Sequence, residues 1–539
     1  MKMIENCCSK GDCMKLWFVS MECAGIAEAG GVKNVTYSLC KEFSELGHDV
    51  TLFIPVFKCN SWDLLTEVQE LTFTVNVSLC NKNESVKYTK AVCKKGNFNV
   101  VLIQHPSFSE KEGVYTYTEN EQKLNPECKK GEGHKDLLFK DILFQKSVAA
   151  YLSKIKTDDY PQIIHCQDAS TAVLPAFVNE LRINTCPAYV VTIHNAGPYY
   201  HHEFKNLEEA FWYTELDKNL LGRAMNGERV EPFLLAVESG AKLTTVSEVY
   251  AKELMDPCNA DITDGLSPVF YAKHVVIKGI TNGFDYERYN PEDKNVSKLP
   301  YEFSPEKGEL EGKYKSRKVF MNEISDNKDF SAPGIKKYGF LMADETCRKE
   351  IFIAYHGRVT TQKGITVLAD AIPEILKKNP YVRFVVAGQG ETRLEENLVK
   401  LTEDYPGKII YMNGYNQAVV RLVTAMCDFI VLPSFFEPCG LEDFIAQAYG
   451  TLPIAHKTGG LNKIADGKTG FLYEKNTSES LANKILQVAD IMKANPDAIL
   501  KMVQDGAASV HTRYLWKNVI KNDYLKFFKE ILKNFNFSY

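Results

Sequence analysis

A chain of 539 residues is longer than one ordinary hydrophobic core supports, so two domains or more are implied. Its apolar fraction of 45% and charged fraction of 25% are those of a globular protein, and a net charge of −5 argues against a general nucleic-acid binder. No apolar run reaches bilayer-spanning length: Phe429-Ile430-Val431-Leu432 is cut by Pro433.

The polar stretch ENCCSKGDC and the short apolar run Leu16–Met21 do not compose a signal peptide. Most of the 15 cysteines are scattered singly, as expected of reduced thiols in a cytoplasmic protein. Cys7, Cys8 and Cys13 form the one local cluster; a metal site there would need a fourth ligand, and residues 1–13 read as a frayed tail.

From Leu16 onward, strand-like runs alternate with helix-period segments. Val35, Leu39, Phe43 and Leu46 give one apolar helical face, which Gly47 stops. Strands are expected at Asp49–Phe57, Val100–Gln104, Ile163–Cys166, Ala188–Ile193 and Leu243–Val246, with a long loop or lid at 108–135. Asn282–Asp293 has the composition of a connector, and the insert from about Ser297 to Asp344 reads as charged surface helices. The pattern restarts with strands at Ile351–Tyr355, Val382–Ala387, Lys408–Met412, Asp428–Leu432 and Leu452–Ala455, and helices at Ile365–Lys377 and Leu441–Tyr449. Repeated β-α alternation with a restart predicts two α/β domains, each a doubly wound, Rossmann-like parallel sheet facing a cleft. Residues 14–275 form the first, 276–511 the second, and 512–539 a C-terminal segment. Ligands of such sheets bind at the carboxyl ends of the strands.

The loops after strands carry the chemistry. Gly30-Gly31, in ECAGIAEAGGVKNV, lies where a strand turns into a helix and backbone N–H groups can face an anion, although Glu28 adds a negative charge. Gly459-Gly460 in KTGGL repeats the device in the second half. Arg358 and Lys363 flank a strand-to-helix loop and form a cation pair suited to a diphosphate leaving group; the same spacing is common on solvated surfaces. Glu437, in PSFFEPCGLEDF, sits on a turn from which a carboxylate can reach a sugar hydroxyl or a cationic transition state; a dipole-favoured helix-terminal acid is the simpler alternative. His194, His165 and Asp168 end strands, and the adjacent His201 and His202 have no zinc spacing. The zinc-protease, paired-CxxC, Walker and nucleophile-elbow motifs are absent, and no metal site is expected.

The motifs together resemble bacterial glycogen synthases and plant starch synthases, the family 5 glycosyltransferases of GT-B fold. The likeness runs from about residue 15 through GGVKNV, GHDVTLFIP, HCQD, TIHN, TTVSEVYAKEL, GITNGFDYERYNP, GRVTTQKG, GYN and PSFFEPCGLEDFIAQAYGTLPIAHKTGGL. It implies retaining, metal-free transfer of glucose from ADP-glucose, ahead of UDP-glucose, to the non-reducing end of an α-1,4-glucan, with no cofactor. By the resemblance, Arg358 and Lys363 neutralise the donor diphosphate, Glu437 contacts the glucosyl group, and His194 lies near the reacting bond. Gly30, Gly31, Lys33, Asn282, Tyr415, Cys439, Gly440, Leu441, Thr458, Gly459 and Gly460 fall on the donor side, Tyr415 on the base; Asp168 and Glu28 fall on the acceptor side. The C-terminal helices, through Trp516, are expected to cross back to the first domain.

Several positions depart from the family. Glu28 replaces its lysine, Lys33-Asn34 its Gly-Asp, Ala169 its tryptophan, AGPYYHH its loop after His194, and Glu442-Asp443 its Thr-Gln. A carboxylate about 5–6 Å from a diphosphate charge costs on the order of 3 kcal/mol, and Lys33 is the candidate to offset it. The competing readings are a GT-B transferase with another acceptor and a catalytically impaired glucan-binding or regulatory homologue.

Overall fold

The computed structural model describes residues 13–328 and 330–536. Cys7 and Cys8 lie outside them; Cys13 is an exposed free thiol. The chain divides into two compact units, one ending at Asn282 and resuming at Trp516, the other Gly283–Leu515. Among the described residues no helix is long and apolar enough to cross a membrane.

In the first unit, β1 (Lys15–Val19), β2 (Asp49–Pro55), β3 (Leu65–Leu79), β4 (Lys82–Cys93), β5 (Asn99–Gln104), β6 (Ile163–Gln167) and β7 (Ala188–Ile193) join one sheet. A small ribbon, β8 (Met225–Asn226) and β9 (Arg229–Val230), precedes β10 (Lys242–Thr245) and β11 (Ile277–Gly279) of the main sheet. The order is β11-β10-β7-β6-β1-β2-β5-β4-β3. β1, β6 and β7 are almost wholly buried, as continuous apolar strands covered on both faces must be. β1 pairs in parallel with β2 on one side and β6 on the other, so the strand order reverses at β1.

The hairpin β3–β4 extends the sheet in antiparallel sense. Its loop residues Cys80 and Asn81 have φ of 53° and 57°, the left-handed pair of a tight hairpin turn. These strands alternate polar and apolar residues, which is why they do not register as apolar runs. Segment 108–135 is not a bare loop: Glu119–Leu124 is a helix capped by Thr118 and Glu121, and His134 Nδ1 lies 2.5 Å from Lys140 Nζ of the helix Leu137–Leu152. The C-terminal helix Leu525–Asn536 belongs to this unit, where Phe528 stacks on Phe43 at 5.4 Å and Tyr524 lies against His165.

The second unit has β12 (Ile335–Gly339), β13 (Ile351–His356), β14 (Val382–Gly388), β15 (Ile409–Gly414), β16 (Phe429–Leu432), β17 (Leu452–His456) and β18 (Phe471–Tyr473), in the order β12-β15-β14-β13-β16-β17-β18. All pairs are parallel except β12 with β15, and the order reverses at β13.

The insert at 297–344 differs from the expected set of charged surface helices. It supplies the edge strand β12, and the helix Glu311–Val319 buries Lys313 and Arg317. Lys313 Nζ donates to the Ala425 carbonyl at 2.7 Å and to Thr451 Oγ1 at 2.7 Å. Arg317 donates to the Met426 carbonyl at 2.8 Å and meets Asp428 at 2.6 Å. These cations satisfy carbonyls at the end of the helix Gln417–Met426, where negative partial charge collects. Asp428 Oδ2 also accepts from the Phe352 N–H at 2.9 Å, tying the clamp to β13. Asp428→Ala leaves Arg317 buried without its counter-ion and is expected to cost about 3–5 kcal/mol in chemical denaturation, with Arg317→Met in the same chain restoring part of it.

Candidate active site

In the second unit the strand reversal opens between the loops after β13 and β16. The first of these runs through Arg358 and Lys363 to Gly364, whose φ is 68° and which heads the helix Ile365–Lys378. A Cβ on Gly364 would lie 1.8 Å from the Pro433 carbonyl, so only glycine lets the two loops touch. The Phe435 N–H donates to the Gln362 carbonyl at 2.9 Å across the same contact. Lys363 Nζ then reaches Glu437 Oε2 at 2.6 Å, and Ser434 Oγ donates to that oxygen at 3.1 Å.

Burial works against the Lys363 ammonium, but Glu437 and Glu442 outweigh it and hold its pKa above the ordinary lysine value. Burial likewise opposes Glu442, yet Lys363 and His356 hold its carboxyl below the usual range. Arg358 is exposed, with its carbonyl accepting from Tyr355 Oη at 2.9 Å.

The Thr458–Leu461 turn locks onto the Glu437 turn. The Gly460 N–H donates to the Glu437 carbonyl at 2.7 Å, and a Cβ there would lie 2.1 Å from the Cys439 carbonyl. Buried Lys463 donates to the carbonyls of Cys439 at 2.5 Å and Gly440 at 2.8 Å and meets Asp443 at 2.9 Å. Burial pushes the Asp443 carboxyl up to about 6, against the pull of Lys463. Asp443 is therefore more than a helix-terminal acid: it neutralises the lysine that staples the two turns. Arg358, Lys363, Glu437, Cys439, Gly440, Leu441, Thr458, Gly459 and Gly460 thus share one loop cluster. Tyr415 stands on the neighbouring loop after β15, with 65% of its surface exposed.

In the first unit the reversal lies between the loops after β1 and β6. The Gly30 turn does gather amides around an anion, but that anion is the chain's own. Glu22 Oε2 accepts from the Gly30 N–H at 2.5 Å and from the Ala29 N–H at 3.1 Å. Burial raises the Glu22 pKa, those two amides lower it, and Tyr115 of segment 108–135 hydrogen-bonds to it. Gly31 has open space around it. Lys33 is not a free positive charge for a ligand: it meets Glu28 at 2.9 Å, and Glu28 Oε1 also accepts from the Gly25 N–H at 2.7 Å. Glu22 directly follows the apolar run Leu16–Met21, and the sequence carries no other signal of its role.

Asp168 follows β6 at a φ of 66° and accepts from the His194 N–H at 3.3 Å. Burial pushes its carboxyl up to about 7, against His202 and the surrounding amides. His194 Nε2 meets Gln167 Oε1 at 2.8 Å, and burial drives its imidazole down to about 3, so it is neutral. Asn282 closes the first unit, buried, with no hydrogen bond to its Oδ1 among the described residues. His165 is structural, bonded to Thr192 Oγ1 at 2.7 Å and packed on Phe18. His201 is held between Glu231 and the Ala196 carbonyl, whereas His202 Nδ1 meets Asp141 Oδ2 at 2.5 Å.

Residues 15–268 match the family described as the starch synthase catalytic domain, and 350–490 that described as glycosyl transferases group 1. The chain is 28% identical to a glycogen synthase of Thermodesulfovibrio yellowstonii, covering 96% of this chain and 98% of that protein. It is 26% identical to one of Mycoplasma mobile, covering 94% and 98%. Among solved structures, the catalytic domain of starch synthase IV from Arabidopsis thaliana, bound to ADP and acarbose, superposes with a TM-score of 0.77 at 21% identity over 97% of this chain and all of that one. Sucrose-phosphate synthase from Thermosynechococcus elongatus does so at 0.55 and 15% identity, covering 96% of this chain and 99% of that one. The two reversed sheets with their loop clusters are those of a GT-B glycosyltransferase. Within that class the first unit matches the starch synthase catalytic-domain family, and the chain as a whole is similar to glycogen synthases.

Two tests follow from the geometry. Gly460→Ala forces the Cys439 carbonyl away and is expected to cost about 1–3 kcal/mol in denaturant unfolding. The folded Asp168 carboxyl holds its proton to about 7 against an ordinary aspartate value of 3.8, so its stabilising contribution is present at low pH and lost as pH rises through about 7. Asp168→Asn should therefore match the parent near pH 4 and exceed it at pH 8, by a few kcal/mol at most, in melts across that range.

Proposed function

We propose that this enzyme transfers glucose with retention from ADP-glucose, in preference to UDP-glucose, to the non-reducing end of an α-1,4-glucan in the cytoplasm. The observation that carries the reading is the Lys363–Glu437 pair at 2.6 Å, which joins the loop of Arg358 to the loop after β16 at the strand reversal of the second unit. Arg358 and Lys363 would hold the diphosphate as its bond to the anomeric carbon breaks, where growing negative charge needs fixed cations and no metal. Glu437, fixed by Lys363 and Ser434, would meet the glucosyl group as positive charge develops on it. The acceptor hydroxyl would then attack the same face, passing its proton to a diphosphate oxygen. Neutral His194 donates through Nε2 to Gln167, which leaves Nδ1 to accept from a hydroxyl.

Starch synthase IV was solved with ADP and acarbose, a nucleoside diphosphate and a carbohydrate-like ligand, which supports this assignment of substrate class. Pairing of Glu28 with Lys33 leaves no unbalanced carboxylate in that turn, which supports an active transferase over an impaired homologue. A different acceptor is favoured by one observation, the altered loop after His194 with its His202–Asp141 pair.

Glycogen incubated with the full chain and labelled ADP-glucose or UDP-glucose decides the matter. Incorporation is expected from ADP-glucose, with Glu437→Ala lowering kcat by about 10² or more. Incorporation from neither donor would overturn the synthase reading.

A further inference from the structure

Glu442 and Asp443 are consecutive acids at the start of the helix Glu442–Ala448, and they meet different cations. Asp443 is fully buried and meets Lys463, a lysine that already donates to the carbonyls of Cys439, Gly440 and Gly460. Glu442 turns back on the chain: its Oε2 accepts from the Leu441 N–H at 3.2 Å. Its charge bears on Lys363 and on His356 at the end of β13. It also stands where the glycogen synthases that this sequence resembles carry threonine.

Lys363 is therefore answered twice before any ligand arrives. Glu437 Oε2 sits 2.6 Å from its Nζ, and Glu442 adds a second negative charge from the start of the next helix. One ammonium needs one counter-ion, and Glu437 supplies it, with Ser434 Oγ donating to the same oxygen. Burial keeps the His356 imidazole below its ordinary pKa, so it adds no positive charge at neutral pH. Arg358 and Lys363 are thus matched by Glu437 and Glu442, as Lys463 is by Asp443. The fixed charges of these loops balance before a diphosphate enters. Charges in such a half-buried cluster are screened far less than in water.

The Glu442 carboxylate acts on the cation that a diphosphate must reach, and two anions at one ammonium oppose each other. We propose that Glu442 is an affinity-setting residue of the donor site, whose carboxylate opposes the diphosphate and hastens its departure after transfer. The inference rests on the proposed function in one respect, that Arg358 and Lys363 hold a nucleoside diphosphate. Product release limits turnover in many enzymes, so a site that loosens its spent nucleotide gains what it gives up in affinity. An acid placed only to favour the helix dipole predicts a different result. Its loss would lower stability and leave diphosphate affinity alone, whereas loss of a competing charge tightens binding.

The full-length protein and Glu442→Gln are titrated calorimetrically with ADP and, separately, with UDP, alongside thermal melts. Glutamine keeps the side chain's length and an acceptor oxygen, and Glu437 keeps Lys363 charged in the variant. Glu442→Gln is expected to bind the parent's nucleotide about tenfold more tightly, and that nucleotide to inhibit transfer more strongly in the same ratio. Affinity within about twofold of the parent, or weaker than it, overturns the proposal whatever the melting temperature. A parent that binds neither ADP nor UDP removes the diphosphate reading and this inference with it. A parent that binds one of them, with the variant no tighter, removes this inference alone. Tighter binding by the variant of a chain that incorporates no glucose leaves the role of Glu442 standing and removes the transfer reading.

Discussion

In a parallel sheet each strand is followed by a crossover, and where successive crossovers run to opposite sides their loops part at the strands' carboxyl ends. β1 with its neighbours β2 and β6, and β13 with β14 and β16, are the two places where this happens. The central strands that create the reversal are buried along most of their length and paired on both sides, so their ends are firmly held. Lys363 and the Gly30 turn hang on those ends, and Glu437, Asp168 and His194 follow the nearby strands β16, β6 and β7. The chemistry of the chain is a consequence of strand order before it is a consequence of side chains.

Charge at these ends is balanced internally. Glu22 fills the amides of its own turn, Lys33 answers Glu28, Lys463 answers Asp443, and Lys363 lies between Glu437 and Glu442. Glu28 looked like a defect in an anion site until its partner five residues on was seen. Asp443 and Lys463 together form a staple that neither suggests singly.

The parallel strands and the order of the motifs were legible because fully buried strands leave continuous apolar runs that turn residues punctuate. Gly364 and Gly460 were legible as turns, though only coordinates show that carbonyls of Pro433 and Cys439 occupy the space a side chain would need. The β3–β4 hairpin was not legible, since its strands face water on one side and carry Lys, Glu and Asn. Buried Lys313 and Arg317 were misread as surface charge: a helix rich in lysine looks solvated whether its cations meet water or the carbonyls of another helix. The pairing of Asp141 with His202 spans 61 residues of chain and leaves no periodic trace.

The first unit is made of two pieces of chain separated by the whole of the second. Phe43 and His165 are covered by Tyr524 and Phe528, which a ribosome makes after every other element of the unit has emerged. During synthesis that apolar face therefore stays bare for the time needed to translate 283–515, while the inserted unit has all of its own sequence in hand and can complete its core first. The order of folding is imposed by the order of the message, and a nascent chain stalled before Trp516 exposes the surface that chaperones recognise.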